Sequence, residues 1–188
     1  MHRGRGDILQ LLKTRGVPLN FTGVDRFIAA CAMDDRETIR VLLDQEPALK
    51  SELIERGGAL LAEFSGVGNV RGVGNLLDCG VSVDALYEGD PYFDIAKSST
   101  SLHVAAWRAN HDVVRELIRR GAPLDAQDGR GRTAMMLAVK ACVDSYWMAH
   151  RQPDSVRALL AAGASAAGVD LPCGYDEADA LLLPRDAG

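Results

Sequence analysis

The feature that most constrains the fold of this chain is an internal repeat. The stretch TSLHVAA begins at Thr100, and the related stretch TAMMLA begins 33 residues later at Thr133. A second pattern, an apolar pair followed after a few residues by a loop, recurs along the chain. Its leucines are Leu12, Leu42, Leu76, Leu117 and Leu159. Self-similarity at a nearly fixed interval predicts a stack of similar structural units rather than one core of unrelated elements.

Each unit is predicted to contain two helices and a connecting loop. In the best-preserved unit, SLHVAAWR predicts the first helix and DVVRELIRR the second, whose apolar stripe includes Val113 and Leu117. Gly121 follows as a helix C-cap, where a left-handed backbone costs glycine little. Residues 122–131 then form a loop that we call the short finger. A single helix pair cannot bury its stripe, whereas stacked pairs can, so the sequence predicts an all-α solenoid.

With these two openings and the helix-pair pattern, the chain resembles the ankyrin-repeat family over nearly its whole length. The resemblance implies a single domain, residues 1–188, with about four full repeats and a half repeat at each end. Repeats 3 and 4 match strongly, whereas repeats 1 and 2 lack the Thr and His of the opening. The expected boundaries are 6–20 for the N-terminal half repeat, 25–50 for repeat 1, 58–85 for repeat 2, 86–99 for a long finger insertion, 100–126 for repeat 3, 133–168 for repeat 4 with an insertion near 140–153, and 175–183 for a C-terminal cap helix.

The glycine-rich stretch SGVGNVRGVGNLLDCG, residues 65–80, contains two Gly-x-Gly spacings and raises the question of a phosphate-binding loop. Such a loop follows a β-strand and has an acidic residue about 20 positions further on. Here the preceding GALLAEF occupies the first-helix position of a repeat, so we interpret Gly68 as the turn between two helices. Gly72 and Gly74 then lie inside the second helix. Each costs about 1 kcal/mol relative to alanine, and they either permit close packing or mark a soft helix.

Charge and cysteine usage exclude several classes of function. A net charge of −5 argues against non-specific binding to nucleic acid or to an anionic membrane. The apolar runs are too short to span a bilayer, and ILQLL is too short for a signal-peptide core. The four cysteines lie far apart without a Cys-x-x-Cys pair, which favours reduced, mostly buried thiols in the cytoplasm over a metal site. We expect no metal and no cofactor.

Catalytic residues are not expected either. His103 lies in the opening of repeat 3 and looks like the structural histidine of the family, which would bond neighbouring backbone or the Thr100 hydroxyl. The chain has no His-x-x-x-His pair. Ser165 lies between small residues in GASAAG, but it follows a helix cap rather than a strand.

The two departures from the repeat period are candidates for a binding site. Twenty positions separate Gly80 from Thr100, against 12 between Gly121 and Thr133, and about nine further residues lie around 140–153. Half of the ten aromatic residues of the chain fall in these insertions. They are Tyr87, Tyr92, Phe93, Tyr146 and Trp147. Aromatic residues are enriched at binding hot spots, so the insertions either contact a partner or pack their own aromatics on the solenoid.

The resemblance also implies where a partner would bind, because family members commonly use finger tips and the inner face of the first helices. By position, this implicates Trp107 and Arg108 at the end of a first helix. It implicates Asp128, Arg130 and Arg132 in and directly after the short finger. The alternative is a solvated face on which Asp128 caps a turn.

The sequence therefore predicts non-catalytic binding of another protein by a cytoplasmic monomer, without nucleic acid or membrane as partner. One alternative is a small-ligand binder or enzyme with a pocket beside the long finger, near Tyr92 and Trp147. Another is a regulatory or immunity-type module of a larger effector system. An N-terminal repeat that lacks its first helix would favour this alternative.

Overall fold

A computed structural model describes residues 3–145 and 148–183, and in these ranges it contains eleven α-helices and no β-strand. The helices are α1 (Gly6–Thr14), α2 (Gly23–Met33), α3 (Arg36–Gln45), α4 (Pro47–Glu55), α5 (Gly57–Gly66), α6 (Val70–Asp78), α7 (Ser101–Trp107), α8 (His111–Arg119), α9 (Ala134–Asp144), α10 (Asp154–Ala161) and α11 (Asp176–Leu182). Short 3-10 helices lie at Pro91–Phe93 and Met148–His150. Tyr146 and Trp147 lie outside the described residues.

The predicted all-α solenoid is confirmed by three successive helix pairs. The first helices α5, α7 and α9 pack on one another in one layer, and the second helices α6, α8 and α10 pack in the other. The side chains between the layers are almost fully shielded from solvent. They include Leu60, Leu61, Leu76, Leu102, Leu117, Met135 and Leu159. Burying a side chain of this size contributes about 1.5–3 kcal/mol, so the stacked stripes hold the repeats together.

The N-terminal part of the chain packs in a different way. A further helix, α4, follows α3 where a finger would be expected, and the sequence pattern does not predict it. Pro47 begins α4, because a proline in the first turn loses no intrahelical bond. Leu53 of α4 is fully buried, and α4 packs against α2 and α3. As a result, α2 packs on the second helix α6, whereas the first helices of the other repeats pack on each other.

The glycine-rich stretch forms the turn and second helix that its position in the repeat predicts. Gly68 lies between α5 and α6 with φ +77°, a left-handed conformation that favours glycine. At Gly72, a Cβ atom would lie 2.6 Å from the Phe64 ring and 2.8 Å from the Asn69 Nδ2 atom. At Gly74, the nearest such contacts are 3.7 Å. Close packing therefore explains Gly72 but not Gly74.

His103 joins the start of α7 to the end of the short finger. Its Nε2 atom lies 3.0 Å from the carbonyl oxygens of Ala126 and Arg132, so Nε2 carries the proton and donates. Its Nδ1 atom accepts from the Thr100 backbone N–H at 3.1 Å and lies 2.8 Å from the Thr100 hydroxyl. Burial lowers the pKa of His103. The structural interpretation of this residue is confirmed.

The second insertion lengthens both a helix and the turn after it. The first helix α9 has 11 residues, against 7 in α7. A 3-10 turn at Met148–His150 then precedes α10, which begins at Asp154. At the other end of the chain, α11 lies within the predicted cap segment and packs on α10.

Candidate functional site

The long finger, residues 86–99, is an ordered loop closed by backbone hydrogen bonds. The Tyr87 N–H donates to the Ser99 carbonyl at 2.8 Å, and Asp90 and Ile95 exchange two bonds of 2.9 and 3.0 Å. A 3-10 turn at Pro91–Phe93 forms the tip, and the Asp90 carboxylate accepts from the Tyr92 N–H at 3.0 Å. These bonds fix the backbone of Tyr92 and Phe93, the two aromatic residues at the tip.

Asp94 ties this finger to the next repeat. Its carboxylate forms ion pairs with Arg130 and with Arg132, the latter at 3.3 Å, and lies 3.4 Å from the Lys140 Nζ atom. The Arg132 guanidinium also donates to the Asp94 carbonyl at 3.1 Å. The hydrogen bond from Arg130 is the largest of several contacts that hold the pKa of Asp94 below its ordinary value. Sequence reasoning missed Asp94 and Lys140, which lie 46 residues apart and share no motif.

The short finger is organised around the buried carboxylate of Asp128. It accepts from the backbone N–H groups of Arg130 and Arg132 at 2.9 Å each, and from the Arg132 Nε atom at 2.8 Å. Burial acts to raise the pKa of Asp128, but these hydrogen bonds outweigh it and leave the pKa below its ordinary value. Asp128 is 5% exposed, so its geometry supports the turn-capping alternative. Contact of Asp128 and Arg132 with a partner stays a prediction.

Trp107 supports the long finger from the end of α7. Its indole Nε1 atom donates to the Phe93 carbonyl at 2.7 Å, and the Lys140 Nζ atom lies 5.1 Å from the centre of its ring. Trp107 is partly buried and packs against the cluster formed by Ala62, Ile95 and Val104. A residue predicted to contact a partner thus also fixes the finger.

The aromatic residues of the long finger divide into packed and exposed ones. Tyr87 and Phe93 pack against the same small apolar cluster as Trp107. The Tyr92 ring meets the edge of Phe93 with 4.8 Å between ring centres, yet Tyr92 is 87% exposed. The structure therefore shows packing for two of these aromatics and solvent exposure for the third. Tyr146 and Trp147, the other predicted aromatics, lie outside the described residues.

Arg108 lies between two depressions beside the long finger. Its guanidinium carbon is 4.6 Å from the centre of the Phe93 ring. On one side is a cavity of about 90 Å³ with Tyr87, Asp90 and Val104 in its wall, and on the other a groove of about 530 Å³ bordered by Tyr92 and other residues. Partial burial lowers the pKa of Arg108. The exposed ring of Tyr92 and the partly buried guanidinium of Arg108 thus border the same groove.

The other polar clusters of the described residues join structural elements. The His111 Nε2 atom lies 3.2 Å from the His150 carbonyl and must donate to it, so the Nδ1 atom accepts from the Ser155 hydroxyl at 2.7 Å. Ser155 is 2% exposed, and this contact links α8 to α10. Within residues 3–145 and 148–183, no group of three His, Cys, Asp or Glu side chains is placed to hold a metal ion.

The cysteine side chains are free thiols. Cys31, Cys79 and Cys142 are buried, and Cys173 is partly buried. Burial raises the pKa of Cys142 to about 11, which leaves it protonated at neutral pH. In the described ranges, none of the helices has the length and apolar character needed to cross a bilayer.

Comparison with known proteins connects this geometry to a family. The family model for ankyrin repeats matches residues 60–170 in three copies, which is the part of the chain that contains the three regular helix pairs. Protein glp-1 of Caenorhabditis elegans is 33% identical over 148 residues, which is 74% of this chain. The match spans 11% of the length of that protein.

Proposed function

The chain belongs to the ankyrin-repeat family, and from this premise we propose that it binds another protein without catalysing a reaction. Ankyrin repeats generally serve as protein–protein interaction modules. The proposed surface consists of the tip of the long finger, the end of α7 and the exposed side of the short finger. It contains Tyr92, Phe93, Trp107, Arg108 and Arg130.

The observation that carries this proposal is the exposure of Tyr92 on an ordered tip. Tyr92 is 87% exposed, although its backbone is capped by Asp90 and its ring rests on Phe93. An exposed tyrosine held in one position offers a large contact area without an ordering cost on binding. Tyrosine and arginine are both enriched among the residues that dominate interface energies.

The clamp at Asp94 supports the same proposal. It holds the long finger against the short finger and α9 through Arg130 and Lys140, so the tip keeps its position relative to α7. The Arg130 side chain remains 52% exposed in this clamp and adds a cationic group to the edge of the surface. A surface of this kind binds as a preformed unit.

A negative net charge of −5 supports a protein partner rather than nucleic acid or an anionic membrane. Four free thiols, three of them buried, support a reducing compartment such as the cytoplasm. We propose a monomer, because the stack buries its own apolar stripes and the exposed large apolar side chains are scattered over several elements.

The test is capture of proteins from the native cell lysate by wild type, Tyr92→Ala and Leu11→Ala, followed by mass spectrometry. Leu11 is also an exposed apolar residue, at 49%, but it lies on α1 and borders neither depression beside the long finger. We expect wild type and Leu11→Ala to retain the same protein and Tyr92→Ala to lose it. Equal capture by all three proteins would place binding elsewhere, and capture by none would contradict the proposed function.

A further inference from the structure

Arg108 differs from the other partly buried arginines in its partners. In residues 3–145 and 148–183, five arginines are partly buried, and four of them are bonded to oxygen atoms. These four pairs are Arg56 with Asp25 at 3.8 Å, Arg120 with Asp78 at 2.6 Å, Arg132 with Asp128 at 2.8 Å, and Arg151 with the Ser145 carbonyl at 2.9 Å. The Arg108 guanidinium makes no hydrogen bond or ion pair in these ranges and rests on the Phe93 ring at 4.6 Å.

A cation in this environment is incompletely compensated. Burial removes part of the hydration of the Arg108 guanidinium and lowers its pKa. A cation–π contact at an exposed site stabilises a cation less than a charge-assisted hydrogen bond does. Stacking over the face of a ring also leaves the edge of a guanidinium open, and that edge matches the two oxygens of a carboxylate.

The charges around Arg108 select among possible anions. Asp90 raises the pKa of Arg108 electrostatically but forms no ion pair with it, and its carboxylate accepts from the Tyr92 backbone instead. Arg3 borders the same cavity, and so do Glu63 and Asp90. The negative charge of Asp90 acts on Arg108 and repels a doubly charged phosphate more strongly than a singly charged carboxylate.

The cavity next to Arg108 limits which partner side chains can bind there. Its volume is about 90 Å³, and Ala62, Val67, Ile95 and Val104 contribute to its wall. Ala62, Ile95 and Val104 form the small apolar cluster under the finger. A side chain that enters this cavity while a neighbouring residue meets Arg108 would therefore be a small apolar one.

From these observations we infer that the partner presents an acidic peptide segment, in which an Asp or Glu carboxylate binds the edge of the Arg108 guanidinium. A small apolar side chain next to that carboxylate enters the cavity beside Val104. This inference rests on the proposed function and specifies its partner.

The test uses a displayed library of random twelve-residue peptides, selected against the wild-type chain. The peptide selected most strongly is then synthesised in two forms, one with its acidic residue and one with the corresponding amide. Their dissociation constants are measured for wild type, Arg108→Gln, Arg108→Lys, Tyr92→Ala and Arg115→Gln. Arg115 is the matched control, because it is exposed on α8 and pairs locally with Asp112.

We expect the selected peptides to share an acidic residue beside a small apolar one. Arg108→Gln should weaken binding of the acidic peptide about 10- to 100-fold, as expected for a charge-assisted hydrogen bond, and the amide peptide should bind wild type equally weakly. The affinity of the amide peptide should be the same for Arg108→Gln as for wild type. Arg115→Gln should bind both peptides as wild type does. Arg108→Lys keeps the charge but not the planar fork and should give an intermediate affinity.

Selected peptides without an acidic residue would overturn the inference, and so would an affinity that Arg108→Gln leaves unchanged. Loss of binding in Tyr92→Ala together with unchanged binding in Arg108→Gln would overturn the inference and leave the proposed function standing. Failure to select any peptide would also overturn it, while the lysate experiment decides the proposed function separately. Thermal unfolding of Arg108→Gln excludes misfolding. The substitution removes the cation–π contact with Phe93, so the unfolding midpoint should stay within about 4 °C of the wild-type value.

Discussion

The indole Nε1 atom of Trp107 donates a hydrogen bond of 2.7 Å to the carbonyl oxygen of Phe93. This bond joins the end of a first helix to the tip of the long finger, 14 residues earlier in the chain. It accompanies the contact of Arg108 with the Phe93 ring. The position of the proposed binding surface therefore depends on an aromatic residue that is itself partly buried.

Replacement of Trp107 by phenylalanine tests this dependence, because it removes the donor and keeps an aromatic ring. We expect a loss of about 0.5–1.5 kcal/mol in unfolding free energy and faster amide hydrogen exchange in residues 86–99. Tyr92→Phe is the control, since the Tyr92 side chain is exposed and should alter neither quantity. Unchanged exchange in Trp107→Phe would show that the bond does not hold the finger.

The two interior glycines of α6 give a matched pair of substitutions. Gly72→Ala places a methyl group 2.6 Å from the Phe64 ring and should destabilise the chain by about 1–3 kcal/mol, the usual cost of overpacking. Gly74→Ala meets contacts of 3.7 Å and should stabilise it by up to about 1 kcal/mol through helix propensity. Urea unfolding measures both effects, and a change of the same sign in the two variants would contradict the packing argument.

Asp128 should contribute to acid sensitivity. Its pKa is lowered in the folded chain, so its stabilising effect is present above its unfolded value of about 3.8 and is lost as the pH falls through the folded value. Asp128→Asn should cost about 3–5 kcal/mol at neutral pH, because it breaks a buried charged pair. It should also reduce the loss of stability that wild type shows below pH 3.8.

Asp170→Asn is the control for that experiment, since Asp170 is exposed. Unfolding free energy is measured by denaturant titration between pH 7 and the acid limit of folding. A variant Asp128→Asn with the stability and acid profile of wild type would show that the carboxylate does not organise the short finger.

The histidines predict a second pH dependence. Burial lowers the pKa of both His103 and His111 below the ordinary 6.5, so the unfolded chain binds protons before the folded chain does. Their contribution to stability is therefore complete above pH 6.5 and decreases as the pH falls below it. We expect the thermal unfolding midpoint of wild type to decrease when the pH is lowered from 7 to 5. In His111→Asn this decrease should be smaller.

His150→Asn provides the comparison for the histidine experiment. His150 is exposed, and its backbone carbonyl, not its imidazole, meets His111. The charge of His150 is the smallest of the causes that act on the pKa of His111, so the His150 variant should stay much closer to the wild-type profile than His111→Asn does. If His150→Asn and His111→Asn changed the profile equally, the link between α8 and α10 would not be the cause.

The residues that the sequence identified best belong to local patterns. Thr100 and His103 lie three positions apart and meet within the first turn of α7, and Gly68 occupies a turn whose place follows from the repeat period. Short-range geometry of this kind depends on chain distance alone. The helix α4 was beyond such reasoning, because its few apolar residues gain their burial from contacts with α2 and α3.

The candidate site itself combines residues that are far apart in the chain. The sequence predicted Tyr92 and Phe93 as binding residues because they are aromatic residues in an insertion, and Arg108 because of its position in the repeat. It did not predict that Asp94 pairs with Arg130, Arg132 and Lys140. Nor did it predict that Arg108 stacks on Phe93 and has no ionic partner among the residues that the structure describes. These properties depend on the relative position of two successive fingers.

By itself, the sequence determined the stacked architecture of α5 to α10, because apolar side chains at helical spacing and a repeated helix–turn–helix pattern can be buried only by stacking. The tertiary structure alone decided which of the described charged side chains form ion pairs with residues distant in the sequence. The reason is physical. Burial and pairing depend on distances between side chains from different repeats, and these distances are set only when the repeats pack against each other.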